Sequence, residues 1–327
     1  EWLIDFIKSE NFDCDLKREG RFHGAHTPVE FKKMVSECND LKENEGIVTQ
    51  IIDKSDQKNE INSDLYHGGV VFPQHASLNA AKYHKDLIEK AIGLGVSVIS
   101  NCEMVDFKKK LDEFSVLTNK GPLKANNLVV ATNGYTSNVT PWLNKRNIPI
   151  GSYVIATEEL PINYISSLFP TNRHITDTCR VVYYFRPSPD RKRIIFGGRV
   201  SSREISLSKS APLLLKDLKR VFPNLPELKI SHSWMGYVSY TFDHLPHTGS
   251  EDGLYYSMGY CGSGIALSSY LGMKLGKKVI GDNDGATAFD SLKFPTRPFY
   301  NGRPWFLPAV VELYKFRDSR EMIKYMN

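Results

Sequence analysis

Gly259-Tyr260-Cys261-Gly262-Ser263-Gly264 is the stretch whose residue types and spacing most clearly suggest chemistry. Glycine lets backbone approach a ligand and takes conformations other residues avoid. Ile265, Leu267, Leu271, Leu275 and Val279 follow at mostly three- and four-residue spacing, which predicts an amphipathic helix closed by Gly281. The first N–H groups of such a helix have no internal partner and carry partial positive charge. An anionic or electron-rich ring system is favoured there. A tight turn that only packs has the same spacing, and spacing alone leaves both readings open. His67, His75, His244 and His247 lack metal-ligand spacing, so no metal is expected.

The elements around this turn read as follows. Leu254–Met258 is a short strand running into the glycines. Upstream, a helix from Ser77 ends at Gly93-Leu94-Gly95, which is a helix stop rather than a dinucleotide fingerprint because it follows a helix. Val96–Ile99 is expected as a strand, Met104–Phe107 and Phe114–Thr118 as a hairpin around a lysine turn, and 127–131 as a buried strand. From Ile148 the chain becomes β-rich. Residues 180–186 and 193–200 predict a hairpin; pairing Arg186 with Arg193 puts Arg186, Tyr184, Ile195 and Arg199 on one face. Phe185, Ile194 and Phe196 then share the other.

The 327 residues suffice for a full core and about two domains. Net charge is a modest +5 with mixed signs, which argues against a nucleic-acid partner. No apolar run reaches the length of a membrane span. Five scattered cysteines argue against a disulfide framework or zinc site and suit a reducing compartment, with the cytoplasm expected. The chain opens on Glu1, and it is expected to begin part-way through a longer protein.

Four stretches in order resemble one family: Gly68-Gly69-Val70-Val71 with its following helix, Leu128–Gly134, Phe196-Gly197-Gly198-Arg199, and Trp234-Met235-Gly236 through Gly264. They resemble FAD-dependent amine and amino-acid oxidoreductases, the group of D-amino-acid oxidases, glycine and sarcosine oxidases and γ-glutamylputrescine oxidases. The run Pro149–Glu158 is most similar to the last of these. The family's opening strand, Gly-x-Gly-x-x-Gly and helix have no counterpart in this chain.

The resemblance implies an α/β (α+β) fold. An incomplete FAD-binding layer is expected over 78–148 and 253–281. A mixed, largely antiparallel sheet with helices on one face is expected as substrate domain over 1–77 and 149–252, and 282–327 as an extended tail. By resemblance Met104, Ala131, Thr132, Asn133 and Gly134 line FAD, and Gly259, Tyr260, Cys261, Gly262, Ser263, Gly264 and Ile265 run along its ring. Gly236 stands where some relatives attach flavin through Cys, which implies non-covalent FAD. Ala266 stands where sarcosine oxidases hold a carboxylate with Lys, which speaks against a simple α-amino acid.

The implied activity is hydride transfer from an amine's α-carbon to flavin, with oxygen or a carrier as final acceptor and a small-molecule amine as substrate. Arg199 and Arg186 are candidates to hold a substrate carboxylate, because guanidinium binds one bidentately; the alternative is exposed ion pairs. Tyr153, Tyr184 and Tyr240 are candidate pocket walls or plain core. The competing reading of the whole chain is a non-catalytic member that retains the scaffold as a binding module.

Overall fold

The computed structural model describes residues 1–199 and 201–325. The first part of the chain runs through α1 (Trp2–Ser9), β1 (Arg21–Gly24), α2 (Pro28–Glu45), β2 (Gln50–Ile52), β3 (Gly69–Phe72) and α3 (Ala80–Gly93). Next come β4 (Met104–Lys110), β5 (Glu113–Thr118), β6 (Gly121–Ala125), β7 (Leu128–Val130), α4 (Pro141–Asn144), β8 (Ile148–Thr157) and α5 (Ile162–Leu168). Then β9 (His174–Asp177), β10 (Tyr184–Pro187), β11 (Ile194–Gly198), α6 (Leu207–Val221) and β12 (Ile230–Tyr240) follow. The last elements are β13 (His247–Glu251), β14 (Leu254–Met258), α7 (Gly264–Val279) and α8 (Leu307–Tyr325).

Two compact units result. The first comprises Glu1–Phe12, Tyr83–Ile150 and Tyr237–Trp305; the second comprises Asp13–Lys82, Gly151–Gly236 and the chain from Phe306 onward.

The first unit holds two small sheets. One has the order β13-β14-β7, with β14 and β7 parallel; the other is the antiparallel meander β4-β5-β6. Phe114, Val116, Val130, Leu254, Tyr256 and Met258 form its core with Phe294 from the later chain. α1 belongs here rather than with 13–77 as expected, because its Trp2 ring meets Tyr270 of α7 edge-on at 5.5 Å. Val96–Ile99 is not a strand. No neighbouring strand among the described residues takes its backbone groups, and Val96, Val98 and Ile99 are exposed. The turn of the β4–β5 hairpin is Leu111-Asp112, Leu111 adopting φ 53°, so Lys108–Lys110 lie in β4.

The second unit is built on a sheet of order β12-β8-β11-β10-β9-β1-β3-β2, antiparallel in its other determined pairs but parallel between β1 and β9. Register aligns Val71, Phe22, Ile175, Phe185, Phe196 and Ile155 in one row across six strands. All six are buried, and α6 covers this side with Leu214, Leu218 and Val221. Side chains alternate along a strand, so the residues between them face the other way.

Two expectations need correction here. Arg186 pairs with Ile195, not Arg193, and the strand begins at Tyr184, not Arg180. The slip is two residues, so the assigned faces survive. Val200, the end of the expected second strand, lies outside the described residues. The tail is not extended to its end: Leu307–Tyr325 is a helix with Leu307, Val311, Asp318 and Met322 buried. That stretch has no glycine, and its one proline, Pro308, sits in the first turn, where a missing N–H is harmless.

Asp177 ends β9 on the core side. Its Oδ1 accepts the N–H groups of Cys179 and Tyr183, both at 3.2 Å, while Oδ2 has no partner among the described residues. Burial pushes its pKa up to about 7, against the pull of those two N–H groups. A carboxyl with a higher pKa folded than unfolded loses its stabilising contribution as pH rises through the folded value. The melting temperature of Asp177→Asn should therefore gain on wild type as pH rises from about 4 to about 7, by a few degrees in all, and hold that gain at pH 8.5. A constant difference across that range would exclude the titration.

Candidate functional site

The turn between β14 and α7 passes through the left-handed region at Gly259 (φ 81°), Cys261 (φ 49°) and Gly262 (φ 98°). A Cβ at Gly259 would lie 2.3 Å from the Thr241 methyl, so only glycine fits there. Asn133, itself at φ 44°, accepts the Gly259 N–H through Oδ1 at 3.0 Å. The Cys261 N–H donates to the Ser239 carbonyl at 3.1 Å, and Tyr260 donates its hydroxyl to Ser257 at 2.9 Å. α7 then begins without a side-chain cap from Ser263. Among the described residues the N–H groups of Gly264, Ile265 and Ala266 meet no acceptor.

A cavity of about 560 Å³ opens beside this helix start. β7 and the loop after it contribute Val129, Ala131 and Asn133, and α7 contributes Gly264, Ile265 and Gly272. Among the described residues, no ionisable group other than the Tyr260 phenol lines it. A Cβ placed at Gly272 or Gly276 would meet nothing within 4 Å, so the helix presents an open groove there. The volume suits a small organic molecule. The lining suits a flat, largely apolar one with an electron-rich edge near the free N–H groups.

Five of the twelve expected cofactor residues line the cavity: Ala131, Asn133, Tyr260, Gly264 and Ile265. Gly259, Cys261, Gly262 and Ser263 shape the turn instead. Gly134 is required by the Tyr237 backbone, whose carbonyl oxygen would lie 2.6 Å from a Cβ, and Thr132 bonds Thr136 at 2.9 Å. Met104 lies in β4 opposite Thr118, packed against the core, and does not line the cavity. Tyr240 meets His244 edge-on at 5.8 Å, with its hydroxyl 4.0 Å from where a Gly262 Cβ would stand. The groove of Ser268, Gly272 and Gly276 was not among the expected residues; small residues at a four-residue repeat are its signal.

In the second unit, the sheet face opposite the core is polar over β1, β9 and β10, whereas Val70 and Phe72 of β3 pack there against Met34 and Cys38 of α2. Arg21, His23, His174, Thr176, Tyr184 and Arg186 share it. His23 bonds the Thr176 hydroxyl at 2.8 Å, Tyr184 and Ser152 share a hydroxyl hydrogen bond, and Arg186 donates to the Leu78 carbonyl at 2.9 Å. Burial, then the Arg21 charge, pushes the pKa of both His23 and His174 down to about 4, so both are neutral near pH 7. Arg21 lies 4.7 Å over the Phe72 ring and has no carboxylate within ion-pair distance among the described residues. Arg21 Nε and His174 Nδ1 are buried without partners there. A half-buried guanidinium beside neutral imidazoles is suited to an incoming anion.

Two of the expected substrate residues stand elsewhere. Tyr153 is fully buried on the core face, donating to Glu204 at 2.6 Å. Arg199 is tied to the Gly151 and Ser202 carbonyls and to Glu204, at 3.0, 3.2 and 3.2 Å. Position parity explains Tyr153: it lies two residues before Ile155 and so points with it. His26, Asp318 and Glu321 converge with their ligand atoms within 4.8 Å of one another, but Arg180 bridges the two carboxylates at 2.9 and 2.8 Å. The cluster is an ion-pair network fastening α8.

Residues 1–277 match the family described as FAD dependent oxidoreductase. A probable oxidoreductase OrdL of Haemophilus influenzae is 28% identical over 278 residues, covering 83% of this chain and 63% of that protein. The Escherichia coli γ-glutamylputrescine oxidoreductase is 29% identical over 332 residues, covering 97% of this chain and 75% of that protein. The chain thus spans less than two thirds of the Haemophilus relative's length. Among solved structures, glycine oxidase from Geobacillus kaustophilus superposes with a TM-score of 0.73 at 18% identity, over 91% of this chain and 80% of that one. L-proline dehydrogenase from P. horikoshii gives 0.71 at 17%, over 94% and 80%. The last two likenesses concern the fold.

The turn's geometry makes a direct prediction. Gly259→Ala and Asn133→Ala should each lower stability by about 1–3 kcal/mol, the first through strain and the second through an unpaired N–H. Urea midpoints measure this, and unchanged midpoints would show that the turn tolerates both.

Proposed function

The chain belongs to the FAD-dependent oxidoreductase family, and from that premise we propose that it oxidises a C–N bond of a carboxylate-bearing amine. The carrying observation is the cavity at the start of α7, with the N–H groups of Gly264, Ile265 and Ala266 unpaired among the described residues. When bound, FAD accepts a hydride equivalent from the carbon beside an amine nitrogen, and water then hydrolyses the imine to a carbonyl compound and an amine.

The residues present fit the ring portion of such a cofactor. Cavity-lining glycines leave room for a flat group, Ile265 and Leu275 keep the wall apolar, and the helix start favours negative charge. Ala131 and Asn133 would hold the opposite wall. No Gly-x-Gly-x-x-Gly occurs in the chain, and no charged side chain in this cavity would meet a pyrophosphate. Attachment is non-covalent in this reading. Burial holds the Cys261 thiol above its ordinary pKa, and its Sγ donates to the Gly259 carbonyl at 3.2 Å, so it is a poor nucleophile.

In the second unit, Arg21 and Arg186 take the substrate carboxylate, and the Tyr184 and Ser152 hydroxyls orient the remaining polar groups. Neutral His23 and His174 add no competing charge near pH 7. γ-Glutamyl-substituted diamines, the substrate type named for the Escherichia coli relative, belong to this class. Oxygen or an electron carrier completes the cycle. Cys14, Cys38 and Cys179 are buried free thiols, which suits a cytoplasmic setting.

The test is anaerobic mixing of the FAD-loaded protein with a panel of amines. Oxidised-flavin absorbance should bleach with carboxylate-bearing amines, and Arg21→Met should raise KM about tenfold or more for these while leaving diamines without a carboxylate unaffected. No bleaching with any amine would refute the activity; equal KM for Arg21→Met would refute the substrate class. For the isolated ring, riboflavin should bind with saturable fluorescence quenching that Gly272→Leu abolishes. Quenching that persists in Gly272→Leu would put the ring elsewhere.

A further inference from the structure

A second cavity, of about 300 Å³, lies within the second unit between α6, α8 and the chain at 179–183. Each helix gives it a row at i, i+3, i+4 and i+7: Leu213, Lys216, Asp217 and Arg220 from α6, and Lys315, Asp318, Ser319 and Met322 from α8. Val181 and the Tyr183 ring form an apolar floor with Leu213 and Met322, and Cys179 and Arg199, the latter held by Gly151, Ser202 and Glu204, also line it.

Its charges are unevenly matched. Asp318 is fully engaged, with one oxygen on Arg180 at 2.9 Å and the other on the Val181 N–H at 3.1 Å. Burial raises the Asp217 pKa, and the nearby Tyr183 phenol and Arg220 pull it back down. Arg220 reaches Asp217 only at 3.7 Å, and its Nη2 donates to the Met322 thioether, a weak acceptor, at 3.3 Å. Lys216 lies one helical turn before Arg220 and forms no ion pair among the described residues. Two cations with strong, poorly used donors therefore border an apolar floor. A guanidinium in that state binds a carboxylate through two parallel bonds, and the floor takes a hydrocarbon body.

We propose that this cavity is a binding site for an organic anion, a carboxylate on an apolar body, separate from the cavity at α7. Because the site is shared by α6 and α8, occupancy fastens the last helix to the sheet unit.

The test uses 4-phenylbutyrate and protein labelled with ¹³C on methionine methyls. The Met322 resonance, assigned by Met322→Leu, should shift saturably, with Met258 of the first unit unmoved. Arg220→Ala should weaken binding about tenfold or more, and uncharged 4-phenylbutanamide should bind at least as poorly. Should Arg220→Ala fail to fold, Lys216→Gln should still weaken binding by severalfold. No saturable Met322 shift, equal binding of the amide, or unchanged affinity in a folded variant would each overturn the proposal.

Discussion

Three backbone N–H groups at the start of α7 have no acceptor among the described residues, and the chain reaches them through a turn that glycine alone can make at Gly259. Much of the first unit is needed to keep that arrangement in place. Parallel pairing of β7 with β14 brings the loop after β7 within reach, so that Asn133 can hold the Gly259 N–H. Behind the turn, Cys261 bonds Ser239, Ser239 bonds Asn147 at 2.6 Å, and Tyr300 bonds the Asn147 carbonyl at 2.6 Å. Asn147 is fully buried, so breaking this ladder would strand polar groups away from water, at a penalty larger than one exposed hydrogen bond. The turn is thus supported from chain segments more than a hundred residues apart, and the helix start stays free for a ligand.

The second unit solves a different problem with the same economy of pattern. One face of its sheet carries a continuous apolar row from Val71 to Ile155, and burying six such side chains contributes on the order of 10 kcal/mol. On the other face, burial keeps His23 and His174 neutral near pH 7 and lowers the Arg21 pKa. Gly197 matters here. A Cβ would lie 2.1 Å from the Tyr184 ring, so the glycine lets that ring lie across its neighbouring strand. Stability and recognition are separated by the two-residue period of the strand.

Local patterns carried much of this. The bounds of α7 follow from its apolar spacing and Gly281, and the hairpin faces survive a misjudged register because the slip was even. Val96–Ile99 misled because β-branched content signals a strand only where a neighbour exists to pair with it. Leu307–Tyr325 was obscured by the proline-rich segment before it. The polar face was the least legible. Arg21 and His174 are adjacent only through a parallel pairing of strands about 150 residues apart, and nothing local marks either as a ligand group. Tyr153 and Arg199 were misplaced for the converse reason: their types suggested chemistry, but parity and nearby carbonyls committed them to structure.

Whether the start of α7 holds the flavin ring is decided by a crystal structure of the FAD-loaded protein. Electron density for the ring is expected in the cavity bounded by Ala131, Tyr260 and Gly264, with an acceptor atom of the ring at the N–H groups of Gly264 to Ala266. Ring density anywhere else, with those N–H groups facing solvent, would contradict that placement.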